Sequence, residues 1–190
     1  VSDAMMESAT DNSVYTWENN SIYYITNGIW SPLKRVDDGW GFWDGVRSAN
    51  LFLENFDPKV LERFQYNEDY DEMIDKASKF SLEVRFLRAF YLFELAKRYG
   101  DIPLITRTYT QEEINSVRKT SFADVIDFIA KECTEITREG GLPEDGVRGE
   151  TGRVTKGAAL ALKSRALLYA ASDLHNPAHD LTKWEAAAKA

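Results

Sequence analysis

The stretch RFLRAFYLFELAKRYGDIPLI, Arg85 to Ile105, decides the fold class. With the residues just before it, it carries two apolar stripes. Phe80, Val84, Leu87, Tyr91 and Leu95 recur at steps of three and four, and Phe86, Phe90 and Phe93 form a second row at similar spacing. A helix apolar on two faces must be covered on both, so the pattern predicts a helix buried within a stack of helices. The spacing predicts its span as Tyr70 to Tyr99. Gly100 supplies the left-handed residue that a helix end requires, and Pro103 prevents continuation.

Outward from this helix the same grammar repeats. The segment WGFWDGVRSANLFLENF, Trp40 to Phe56, presents Phe42, Val46, Ala49, Leu53 and Phe56 on one face, and Asp57-Pro58 ends it. Its helix is expected from about Asp38 to Asn55, with a short helix near 58–65 after it. Residues 101–117 read as an extended loop. Ser121-x-x-Asp124 resembles a capping box, and Phe122, Val125, Ile126, Ile129, Cys133 and Ile136 follow as one stripe. Gly140-Gly141 closes that helix. Arg153 to Ala171 is expected as an alanine-rich helix that lets a neighbour approach closely. A last helix is expected to open at Thr182, with Thr182 and Glu185 as a capping box and Trp184 packed on the alanine-rich helix. Strand signals are nearly absent. The fold class expected is therefore all-α, built from stacked helix pairs.

Composition sets bounds. A chain of 190 residues, 44% hydrophobic and 28% charged, can bury a substantial core and suits one domain plus an extension. The expected division is an aromatic-rich segment, 1–39, and a helical domain, 40–190. A net charge of -8 disfavours nucleic-acid binding, which needs clustered cations. The single cysteine, Cys133, lies on an apolar stripe and reads as a buried, inert thiol.

Four segments of the chain, in the same order as in the family they resemble, carry a family resemblance. The Arg85–Ile105 run, the helix ending in Ala49-Asn50-x-x-Leu53, and GRVTKGAALALKSRALLYAAS, Gly152 to Ser172, with Asn176-Pro177 and Trp184-Glu185-Ala186-Ala187 after it, resemble the SusD/RagB family. Its members are glycan-binding lipoproteins of Gram-negative outer membranes. The resemblance implies a tetratricopeptide-like solenoid, surface exposure on the outer membrane, an oligosaccharide ligand and a SusC-like TonB-dependent transporter as partner. Membrane contact would come only through a lipid anchor that this sequence does not carry. It further implies that the sequence is truncated at the front and lacks a C-terminal part. No cofactor and no catalysis are implied, and the sequence has no Asp-x-Asp-x-Asp-Gly calcium loop. A helical-repeat scaffold that binds only protein remains an alternative, as does a helical glycosidase.

Candidate binding residues come from the aromatics. Four of the five tryptophans (17, 30, 40 and 43) lie in the first 43 residues. A sugar ring packs its weakly apolar C–H face on a flat indole, while amides and carboxylates bond the hydroxyls. Trp17 and Trp30, in less regular chain, are the expected platforms, with Tyr15 and Asn19 beside them and Asn20, Asn27 and Asp37 nearby. Trp40 and Trp43, on a helix, are expected to be core. Arg85 and Arg88, among the aromatics of the long helix, are expected to pair with carboxylates. His175 and His179 have metal-ligand spacing, but Pro177 between them disfavours a helix that would converge their rings, so no metal site is expected.

Overall fold

The computed structural model describes residues 7–16, 20–35, 39–138, 140–144 and 151–190. The chain divides into two compact units, Val1–Gly39 and Trp40–Ala190. In the first unit Trp17, Ile22, Ile25 and Ile29 fall partly in helical phase, which suggests a helix over about Thr16 to Gly28. Among the described residues of that span one short turn forms, α1 (Tyr23–Thr26). The Asn20 carboxamide oxygen takes the Ile22 N–H at 2.8 Å, a local bond that competes with helix, and Gly28 turns left-handed at φ 65°. Ile22 is buried, and the Tyr23 hydroxyl donates to the Tyr15 carbonyl at 2.5 Å.

The second unit is helical: α2 (Phe42–Asn55), a 3-10 helix (Pro58–Phe64), α3 (Tyr70–Tyr99), α4 (Gln111–Ile114), α5 (Phe122–Ile136), α6 (Lys156–Ala171) and α7 (Leu181–Lys189). Among the described residues there is no strand, only isolated bridges at Ser31–Lys34 and Ile102–Thr120. Helix α3 packs on α2, α5 and α6, α6 on α5 and α7. The all-α expectation holds, as do the bounds of α3.

The core lies where α3 meets its neighbours. Leu92, Phe93, Leu95 and Ala96 on α3, Val46 on α2, and Val125, Ile126, Ile129 and Cys133 on α5 are buried together. Burial pushes the Cys133 thiol up to about 12, so it is inert as expected. Both stripes of α3 are less uniform than expected. Leu87 is exposed, and the buried positions concentrate from Arg88 to Ala96. Gly100, at φ 69°, ends the helix with its N–H on the Ala96 carbonyl.

Three caps differ from expectation. Helix α6 begins at Lys156, not Arg153, because the Thr155 hydroxyl accepts from the Ala158 N–H. Arg153 instead forks onto Glu83 of α3 at 2.9 and 2.6 Å. Helix α7 is capped by Asp180, whose carboxylate accepts from the Thr182 N–H, so the Thr182–Glu185 box does not form. It meets α6 through Ala187, which is buried and whose carbonyl takes the Ser164 hydroxyl, while Trp184 remains 42% exposed. The expected loop at 101–117 contains α4, closed by a Thr110–Glu113 capping box that sequence reading missed. Helix α2 starts after Asp38, which lies outside the described residues.

A buried polar cluster is shared by three helices. Glu132 of α5 receives Arg85 at 2.8 and 3.1 Å and Arg88 at 3.0 Å. Arg88 also donates to the Asn50 side-chain oxygen and the Thr106 carbonyl, both at 3.0 Å. Asn50 in turn donates to the carbonyls of Ile105 and Arg107 at 3.2 and 3.1 Å. Arg85 and Arg88 thus pair with a carboxylate, as expected.

Two predictions follow from this packing. Burial opposes ionisation of Glu132, but its bonds to Arg85 and Arg88 outweigh it and hold the carboxyl below its usual range. A depressed carboxyl stabilises the fold above its unfolded value and loses that contribution as pH falls through the folded value. Glu132→Ala should cost about 3–5 kcal/mol near neutral pH, because two cations lose their partner. In denaturant titrations the gap between wild type and Glu132→Gln should narrow as pH falls below 4.5; a gap independent of pH would contradict the assignment. Gly45 of α2 faces Tyr91 so closely that a Cβ there would sit 2.6 Å from the ring, and that ring is stacked on Phe42. Gly45→Ala should destabilise by ~1–3 kcal/mol through overpacking, more than the ~1 kcal/mol it gains in helix propensity. A higher melting temperature in the alanine variant would show that the ring can yield.

Candidate functional site

The loop that Asn50 and Arg88 hold by its carbonyls forms one wall of a cleft. Three carbonyls in a row, Ile105, Thr106 and Arg107, are bonded inward. The side chains of that loop are therefore presented on a fixed backbone. The opposite wall is the start of α2, and the end of α3 closes the side. The cleft measures about 780 Å³, with Val46 and Ile102 at its buried base. That is the size of a small-molecule site, which spans about 300–1,000 Å³.

Its rim is aromatic. The Trp40 ring lies 5.7 Å from Tyr99 and 6.4 Å from Trp43, both edge-on at 86° and 69°. Trp43 packs against the core, but Trp40 is 61% exposed. The expectation that both were core therefore fails for Trp40. The residue precedes the first helical turn, so helical phase does not direct it inward. Across the cleft, the Arg107 guanidinium lies 4.0 Å over the Tyr109 ring and forks onto Glu113. Arg107 and the Thr110 N–H hold the Glu113 carboxyl down at about 2. Glu54 is likewise lowered by the Thr108 hydroxyl and N–H, at 2.6 Å each. These bonds tie the loop to α2 and to α4 from outside the cleft.

Asp101 is the carboxylate among the residues lining the cleft, and it accepts the Phe122 N–H at the start of α5. Arg47 and Lys119 also line it. Among the described residues neither is paired with a carboxylate. The arrangement offers flat apolar faces, cations and a few hydroxyl and amide groups from Thr110 and Gln111. It can hold a ligand with an apolar face and polar edges.

The residues expected from sequence to bind sugar lie elsewhere. Trp17 and Asn19, with Asp37, are outside the described residues. Trp30 is 62% exposed in the first unit, and Tyr15 is half-buried, its carbonyl bonded to Tyr23. No group of His, Cys, Asp and Glu among the described residues is arranged to hold a metal. His175 stacks on Phe122 at 3.6 Å, and His179 takes a left-handed φ of 52°.

Comparison with known proteins bears on the whole chain. The SusD-like family described as starch-binding and associating with the outer membrane matches residues 2–168. The chain belongs to this SusD-like family. A SusD-like protein of Bacteroides fragilis superposes with a TM-score of 0.67 at 29% identity, over 96% of this chain and 34% of its own. A second protein of that organism, a SusD-like carbohydrate-binding protein, gives 0.66 at 28% identity, over 97% and 32%. A laminarin-binding SusD-like protein shares the fold at 0.66 and 24% identity, over 93% and 36%. The chain thus spans about a third of the length of these relatives. No match was found among curated proteins. Among the described residues no helix is long and apolar enough to cross a membrane.

Proposed function

We propose that this SusD-like chain belongs to a glycan-binding protein of the outer-membrane surface, and that the cleft beside Trp40 is one of its sugar-contacting surfaces. The observation that carries the reading is the exposed Trp40 ring, set edge-on to Tyr99 over a cleft of about 780 Å³. A largely exposed indole with polar groups beside it suits the C–H face of a pyranose. The family and the carbohydrate-binding relative support the ligand class.

The mechanism in this reading is capture, not chemistry. Hydrolysis of a glycosidic bond uses two carboxylates facing across the sugar. Here Asp101 is committed to the Phe122 N–H and its cleft neighbours are cations. The protein would hold an oligosaccharide at the cell surface, anchored by a lipid, and pass it to a SusC-like TonB-dependent transporter.

A second surface on the first unit belongs to the same proposal. Trp30 is open to solvent, and Trp17, Tyr15 and Asn19 are close to it in sequence. The exposure of Trp30 favours a platform over a core role.

Removing each ring separates the surfaces. Covering roughly 60 Å² of ring face is worth about 1–2 kcal/mol, on the order of tenfold in affinity. In the intact protein, Trp40→Ala should weaken glycan binding about tenfold by calorimetry, with a melting temperature nearly unchanged. Trp30→Ala should act alike if its surface also binds. A large drop in melting temperature from Trp40→Ala, or unaltered binding, would reject the cleft.

A further inference from the structure

The chain carries eight more acidic than basic charges, yet the cleft has the opposite balance. Arg47, Arg107 and Lys119 line it against Asp101 alone. Their states differ. Arg107 is spent on Glu113 and on the Tyr109 face. Asp101 is spent on the start of α5. Arg47, on α2, and Lys119, just before α5, have no carboxylate partner among the described residues. Cations on α3 behave differently: Arg85, Arg88, Lys97 and Arg98 all hold carboxylates. Asp44 lies one helical turn before Arg47 and still does not bridge to it.

We infer that the cleft selects an acidic glycan, its ring on Trp40 and its anionic substituent on Arg47 and Lys119. This rests on the glycan-binding reading above and adds the charge of the ligand to it. A chain of net charge -8 repels an anionic polymer on the whole, and the cationic excess of the cleft runs against that balance. Arg presents a planar fork that matches a carboxylate or a sulfate in two parallel bonds, and Lys adds a point charge. Both side chains are exposed, so binding releases no buried ion and strains no helix. A uronate carboxylate and a sulfate ester share this chemistry.

The test compares three probes on the intact protein: an oligogalacturonate, a chondroitin sulfate oligosaccharide and laminarihexaose. At least one acidic probe should bind more tightly than the neutral one, and its affinity should fall with added salt. Arg47→Gln with Lys119→Gln should weaken that probe about tenfold, the scale of a charge-assisted bond at a solvated rim, and weaken it clearly more than the neutral probe. The Arg47→Lys, Lys119→Arg pair should retain most of the binding. Preference for one acidic probe identifies carboxylate or sulfate as the group read. Equal binding of neutral and acidic probes, or acidic binding indifferent to the double variant, overturns the charge inference while the glycan reading stands. Failure of every probe overturns both.

Discussion

The guanidinium of Arg88 is the point on which the rest of the second unit depends. It lies where α2, α3 and α5 meet and bonds to Asn50, to Glu132 and to the Thr106 carbonyl. A buried cation is tolerable only when its donors are used, and only its Nε lacks a partner. The arrangement does more than neutralise charge. Asn50 extends it to two further carbonyls, so a loop with little regular structure is fixed by side chains from two helices. The outward face of that loop is the wall of the cleft. Fold and site are thus joined by one set of hydrogen bonds.

The helices were legible because their apolar periodicity is strong. The stripe from Phe122 to Ile136 is buried almost as written, and Tyr70–Tyr99 has the expected bounds. What periodicity could not supply was the choice between competing caps. Thr155 and Asp180 each win over a neighbour by a single side-chain bond to a backbone N–H. Nor could it foresee Leu87 exposed, since that depends on which neighbour covers α3 at that turn. The N-terminal segment had only partial helical phase, and there a local Asn20 bond decides the outcome.

The site was less legible than the fold. Asn50 was visible as part of a family motif, but its task, holding a loop more than fifty residues away, depends on tertiary contact. Trp40 was expected to be core because the expected helix, from about Asp38, contains it. The helix starts at Phe42, later than the expected Asp38, so Trp40 precedes its first turn, and the edge-on contact with Tyr99 required the α3 end to be in place. The free cations Arg47 and Lys119 are unremarkable in sequence. Only their shared cleft, and the engagement of Asp101 and Glu113 elsewhere, gives them a meaning.

The central claim is that the loop held by Arg88 and Asn50 builds a ligand site beside Trp40. The most direct measurement is a crystal structure of the intact protein with an acidic oligosaccharide bound. The account predicts a sugar ring against Trp40 and Tyr99, with its anionic group about 3 Å from Arg47 or Lys119. A ligand seated only against Trp30, or a cleft filled by the protein's own chain, would contradict it.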